Sequence, residues 1–307
     1  MKISPAYRGI LFMLLAALGF SIMGGAAKAL KGSFNAGQLV FWRNTVGILV
    51  LAVSFANRKP VNNGGNLPRL IFRGLMGTTA LYTLLYCILH LPLGTAMSYS
   101  LTSALFIALF SFLLFREYEG KWVLLAVFIG FTGMLLIYKP NIHLPWYYHL
   151  AGLISGVSSA IAYLTIGRLT KFYDTRIIVL SFVLTGVLVP LLFVLIRLLF
   201  QLPEDDLLFI AWKWPQGNEW WLILLLGSAA LFGQFFVTKA YGADRAGIVS
   251  AIGYANIIFS IFIGMMLGDA FPDNISLLGI GCIIGSGLMI SFIKKEKENI
   301  SVKDNLQ

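Results

Sequence analysis

The sequence predicts an all-α integral membrane protein of ten transmembrane helices, arranged as two inverted five-helix repeats. Three observations predict it: the scarcity of charge, the length of the apolar runs, and a weak similarity between the two halves. Of 307 residues, 58% are hydrophobic and only 12% charged, about half the ~25% charged residues of a soluble domain. Apolar runs longer than about 18 residues recur along the chain, enough for a helix to cross ~30 Å of hydrocarbon. A water-soluble fold would leave too much of this surface uncovered.

Runs bounded by charges, Pro, Gly or Asn place the spans near residues 8–29, 36–56, 70–90, 93–115, 121–138, 149–170, 177–200, 219–240, 245–267 and 275–293. The first has the basic start and the small-residue triplet (Ala27-Lys28-Ala29) of a secretory leader. Its apolar stretch from Gly9 to Ala27 outruns the roughly 7–15 residues of a leader core, and it has a partner later in the chain, so it reads as a helix. The longest connection, 200–221, carries Trp212, Trp214, Trp220 and Trp221, a composition suited to the lipid–water boundary. Its Glu204-Asp205-Asp206 triplet would suit the magnesium diphosphate of a prenyl transferase, but no second acidic motif accompanies it.

The net charge of +10 reports topology rather than a nucleic-acid partner, because the basic residues sit in connections and not on one amphipathic face. With the N-terminus in the cytoplasm, Lys28, Lys31, Lys139 and Lys213 fall outside and Arg43 and Arg197 lie within spans. The remaining lysines and arginines, Arg69 and Arg73 among them, fall on or near the inner side, a strong positive-inside bias. Both termini are then cytoplasmic, in the inner or plasma membrane. Cys87 and Cys282 are isolated within apolar runs and imply no disulfide or metal framework.

The repeat appears when 9–28 is written above 152–171. Gly9, Ala17, Gly24 and Lys28 meet Gly152, Ala160, Gly167 and Lys171, and Phe20 meets Tyr163. Residues 93–117 lie over 246–270, setting Arg116-Glu117 beside Asp269, and Gly74 corresponds to Gly227. Five spans per copy is an odd number, so the second copy must cross the bilayer in the opposite sense. Such inverted repeats place a binding site near the midplane where the halves meet. The expected units are 1–144, 145–293 and a cytoplasmic tail, 294–307.

On these residues the chain resembles the drug/metabolite transporter superfamily, in particular its EamA-type members. The resemblance rests on "GGAAKAL" closing the first span, "FWRNTVGILVL" in the second, "YCILHLPLGTAMSYSLTSALF" across the third and fourth, Glu117 after the fourth, and the glycine-rich "GFTGMLLI" and "GIGCIIGSGLMI". Asp269 stands where such repeats often carry Glu, and the seventh span lacks a clear counterpart of Arg43. The resemblance implies a secondary transporter that moves a small organic metabolite by alternating access, with export of amino acids or related metabolites expected. Uptake of a vitamin or nucleoside-type nutrient is the alternative; a membrane lipid or prenyl transferase is the alternative of another class.

A charge at bilayer depth costs about 2.5–3.5 kcal/mol, so it must face protein, water or a partner. Arg43, after Phe41-Trp42, is read either as a structural charge on helix-end carbonyls or as a ligand for a carboxylate or phosphate, whose geometry its guanidinium fork matches. The candidate cavity comprises Arg43, Trp42, Tyr82, Tyr86, Tyr99, Ser103, Tyr163, Gln234, Tyr254 and Asn256. Glu117, Asp269 and Lys239, at span ends, are read as gating or structural charges. No Asp, Glu or His lies in mid-span, which argues against a buried proton relay and against hydrolytic or metal-dependent chemistry. No enzyme activity, catalytic residue, metal or cofactor is expected. The expected partners are a small-molecule substrate and the lipid bilayer, not nucleic acid, with the chain a monomer and a dimer left open.

Overall fold

The computed structural model describes residues 7–60, 64–91, 121–138, 145–204, 207–209, 212–244, 246–267, 273–275, 277–286 and 288–289, with 96, 97, 99, 100, 102–104, 106, 107, 109 and 110 of the fourth span. The described elements are α1 (Arg8–Ala29), α2 (Ala36–Asn57), α3 (Leu67–His90), α4 (Lys121–Tyr138), α5 (Trp146–Leu169), α6 (Thr175–Phe200), α7 (Glu219–Ala243), α8 (Ala246–Ile252) and α9 (Ala255–Met266), followed by α10 (Leu277–Ser286). Among the described residues, seven helices, counting α8 and α9 together from Ile248 to Met266, are long and apolar enough to cross a membrane. α10 and the 124–133 part of α4 are shorter apolar stretches. Most of the predicted fourth span, and the residues beyond 289, lie outside the described residues.

Local chemistry sets the helix starts. The Asn35 side chain accepts from the amide of Gln38 at 3.0 Å and opens α2; Asp174 accepts from the amide of Arg176 at 2.9 Å and opens α6. Both satisfy an amide that the first turn would otherwise orphan. Pro68 stands in the first turn of α3, where its missing N–H costs nothing. The ninth span is interrupted at Gly253-Tyr254, between α8 and α9.

Packing is extensive between α1 and α7 and between α3 and α5, while α2 crosses α6. α2 also meets α7, α3 meets α6, and α1 meets α9. Glycines let backbones approach. A Cβ on Gly19 of α1 would lie 2.8 Å from the Gly233 nitrogen of α7, and one on Gly74 of α3 would lie 2.6 Å from the Ser181 carbonyl of α6. Small residues at crossings are how membrane helices gain van der Waals contact, since lipid offers no hydrophobic drive between them.

The outward face is apolar. Leu188, Leu192, Leu195 and Leu199 stand exposed at helical spacing along α6, a ridge that in water would be an aggregation-prone patch and that hydrocarbon solvates. At one end of α2, Arg176 donates to the carbonyls of Ser54 and Arg58 at 3.1 and 2.8 Å and pairs with Asp174 at 3.2 Å, tying α2 to the start of α6. At the other end, Gln38 donates to the carbonyl of Lys213 at 2.8 Å, and the rings of Trp212, Trp214 and Trp220 gather on Trp42. Between these ends lies a cavity.

Candidate substrate-binding cavity

The cavity, of about 100 Å³, is walled by α1, α2, α3, the fourth span, α5, α6, α7 and the α8–α9 break. Methionines and phenylalanines supply much of the lining, with Met13, Phe20 and Met23 from α1 and Met97 from the fourth span. Against this apolar wall stand two arginines, Arg43 of α2 and Arg73 of α3, 3% and 1% exposed. Their guanidinium carbons each lie 5.0 Å from the ring centroid of Phe182 on α6, so the two are within twice that distance of each other.

Arg43 Nη1 donates to Asn44 Oδ1 at 2.8 Å, and Asn44 Nδ2 donates to the Val40 carbonyl at 2.7 Å. Nε of Arg43, Nε and Nη1 of Arg73 and Nε2 of Gln234 are buried without an acceptor among the described residues. Asp174, Glu204, Glu219, Asp244 and Asp273 are the described carboxylates, and none lines the cavity. Each buried guanidinium costs about 2.5–3.5 kcal/mol by insertion measurements, and contact with an aromatic face returns only about 0.5–2 kcal/mol. The cavity is therefore electropositive and rich in unfilled donors. Tyr163 of α5 stacks on Tyr241 of α7 at 4.9 Å and 12°, and both rings line the space.

Of the residues read from the sequence as a cavity, Arg43, Ser103, Tyr163, Gln234 and Asn256 line it. Asn256 Nδ2 also donates to the Ala17 carbonyl and to Ser21 Oγ, both at 2.9 Å, fastening α9 to α1. Trp42, Tyr82, Tyr86, Tyr99 and Tyr254 point elsewhere. Trp42 follows helical rotation away from Arg43 into the tryptophan cluster. Tyr82, nine residues from Arg73 and so half a turn out of phase, meets Phe193 at 6.3 Å. Tyr86 packs on His90 and Tyr148. Tyr99 hydrogen-bonds His149 Nδ1, and Tyr254 is buried with its hydroxyl 3.4 Å from the Val127 carbonyl.

Lys239 lies over Phe235 at 4.5 Å and Phe12 at 5.5 Å, outside the cavity lining. Glu117 and Asp269 lie outside the described residues, as do Asp205 and Asp206. Glu204, the remaining member of the acidic triplet, forms an ion pair with Arg197. Arg73, which the sequence places with the inner-side topology charges, is instead fully buried in the cavity wall. Helix α3 begins at Leu67 rather than 70, which carries Arg73 nearly two turns inside. Phe182 and Tyr241 carry no signal that separates them from the surrounding apolar and aromatic residues.

Residues 7–139 match the EamA-like transporter family. Over 295 residues the chain is 30% identical to an uncharacterized transporter of Helicobacter pylori, covering 94% of this chain and 96% of that protein. The chain belongs to the EamA-like transporter family. This EamA-family chain is also 30% identical over 291 residues to the pseudopaline exporter CntI of Pseudomonas aeruginosa, covering 94% and 97% of the two chains. It is 24% identical over 305 residues to an S-adenosylmethionine uptake transporter of Rickettsia prowazekii, covering 97% of each. A solved crystal structure shares its fold, with a TM-score of 0.68 at 19% identity over 96% of this chain and 97% of the other. The EamA-family chain is thus a member of the drug/metabolite transporter superfamily, an integral membrane protein that moves small molecules across a membrane.

Proposed function

We propose that the chain is a secondary carrier of the cytoplasmic membrane that exports amino acids or related metabolites by alternating access, using ten spans in two inverted repeats, 1–144 and 145–293. The observation that carries this reading is a cavity walled by both halves, in which a largely apolar lining holds a few convergent polar groups, Arg43 and Arg73 among them, as small-molecule sites do. Both termini lie in the cytoplasm, and the chain works as a monomer.

Packing about the centre supports the inverted repeat. The contact of α1 with α7 has its counterpart in that of α5 with α3, and α2 with α7 in α6 with α3. Gly47 and Gly186 are both the twelfth residues of their helices, α2 and α6, and Asn44 and Val183 both the ninth. A Cβ on Gly47 would meet Val183, and one on Gly186 would meet Asn44, so the crossing repeats itself with the helices exchanged. Export is favoured over uptake by the greater identity to the pseudopaline exporter than to the S-adenosylmethionine uptake protein.

The test is efflux from proteoliposomes loaded with a mixture of amino acids and organic acids, read by mass spectrometry. A subset of solutes is expected to leave faster than from protein-free vesicles. Equal loss of every solute from both would refute the transport reading. A reporter fused after Gln307 that is active only in the cytoplasm checks the orientation.

A further inference from the structure

Among the described residues, four fully buried nitrogens of the cavity lining have no acceptor. Arg43 Nε, Arg73 Nε and Nη1 and Gln234 Nε2 are all donors, and they belong to residues that line one space. The two cations come from different helices, flank one phenylalanine ring and have no carboxylate facing them among the described residues. In the sequence, no Asp or Glu falls in the middle of a predicted span. A group with one negative charge would balance only one of the two guanidiniums. The ammonium of a zwitterionic amino acid would meet two like charges and no acid.

We infer that the transported substrate carries two anionic groups, carboxylate or phosphoryl, one taken by Arg43 and one by Arg73, with its short apolar middle lying along Phe182. This rests on the transport reading above and narrows its substrate class to dianionic relatives of amino acids. The guanidinium fork suits both kinds of anion, since each presents two oxygens to parallel N–H donors. Placing the pair on α2 and α3 also means that a ligand with one charge at either end bridges two helices. It neutralises two buried charges that repel each other, so binding pulls the walls together.

The experiment measures binding by thermal stabilisation of the full chain in detergent. Succinate, glutarate and adipate test two carboxylates at increasing spacing, and 3-phosphoglycerate tests a carboxylate with a phosphoryl group. Butyrate, leucine and choline are the one-charge, zwitterionic and cationic comparisons. One dianion is expected to bind at least tenfold more tightly than butyrate; which one leads separates the two anion sources. Arg43→Gln and Arg73→Gln are each expected to reduce that dianion to the butyrate level, while butyrate itself changes less, because the other arginine still accepts it. Arg73→Lys, which keeps the charge and loses the fork, is expected to fall between wild type and Arg73→Gln. Should a glutamine variant not fold, Arg73→Lys against wild type decides.

The inference is overturned if butyrate, leucine or choline binds as tightly as every dianion, or if Arg73 variants bind the dianion as wild type does. Efflux separates the two levels of the reading. Vesicles that release neutral or cationic solutes but no dianion overturn the substrate class and leave transport standing. Vesicles that release nothing overturn transport as well.

Discussion

Arg73→Met is expected to make the empty protein more stable. Arg73 is 1% exposed, two of its nitrogens have no acceptor, and no described carboxylate lines its cavity. Holding the charge at depth costs about 2.5–3.5 kcal/mol. Repulsion from Arg43, whose guanidinium carbon lies no more than about 10 Å away, adds at least about 1.7 kcal/mol at an effective dielectric of ~20. The Phe182 face returns about 0.5–2 kcal/mol. Methionine removes the charge, fills similar volume and keeps apolar contact, so a net gain of about 2–3 kcal/mol is expected once partial hydration of the cavity is allowed for. At roughly 2–4 °C per kcal/mol for chains approaching this size, the unfolding midpoint should rise by about 4–12 °C. The assay is thermal unfolding in detergent without added solute, with Arg73→Lys as the charge-keeping control. A midpoint lowered by several degrees in Arg73→Met would refute the reasoning, because it would mean that the guanidinium braces helix carbonyls and is not a charge awaiting a ligand.

Trp42→Ala removes the ring on which Trp212, Trp214 and Trp220 gather and should cost about 3–5 kcal/mol. Its affinity for any cavity ligand should match wild type, as measured by titration of the folded fraction. Asn256→Val deletes the donor to Ala17 and Ser21; stability should fall by about 1–3 kcal/mol in a thermal unfolding series, with Ser21→Ala less than additive. Leu192→Arg, on the exposed ridge of α6, places a charge in hydrocarbon at about 2.5–3.5 kcal/mol. It should cut the yield of membrane-inserted protein, measured after carbonate extraction, whereas the same change in an aqueous face would be harmless.

Helix positions were legible because charges, prolines and asparagines bound the runs. α1 spans Arg8–Ala29 and α4 spans Lys121–Tyr138 as predicted, and the other described spans start within a turn of their predicted positions. The interruption at Gly253-Tyr254 was not legible, since apolar residues continue on both sides of it. Depth could be read but facing could not. Tyr254 and Asn256 differ by two residues, about 200° of rotation, and only Asn256 reaches the cavity. Arg73 was hidden by the positive-inside pattern itself, because a cation near the start of an inner-side helix looks like every other topology charge. Phe182 was hidden by being one phenylalanine among many.

The α2–α6 crossing is reciprocal in its glycines and not in its chemistry. Arg43 and Phe182 are both the eighth residues of α2 and α6, so the cation of α2 meets an aromatic face at the corresponding position of α6. This asymmetry makes the two crossing glycines unequal. A Cβ on Gly186 falls 2.2 Å from Asn44 Nδ2 and 2.6 Å from its Cγ, whereas one on Gly47 falls 3.1 Å from a Val183 methyl. Val183 need yield only by a few tenths of an ångström and carries no hydrogen bond to be broken. Asn44 is fixed by the Val40 carbonyl and in turn accepts from Arg43 Nη1, so displacing it releases the arginine. Gly186→Ala should therefore cost about 1–3 kcal/mol through overpacking and also weaken dianion binding, although residue 186 does not line the cavity. Adding Asn44→Ala should recover stability but not binding. Gly47→Ala should cost less, leave binding intact, and be relieved by Val183→Ala. Dianion affinity in Gly186→Ala equal to wild type would show that Asn44 does not position Arg43, whatever the stability change.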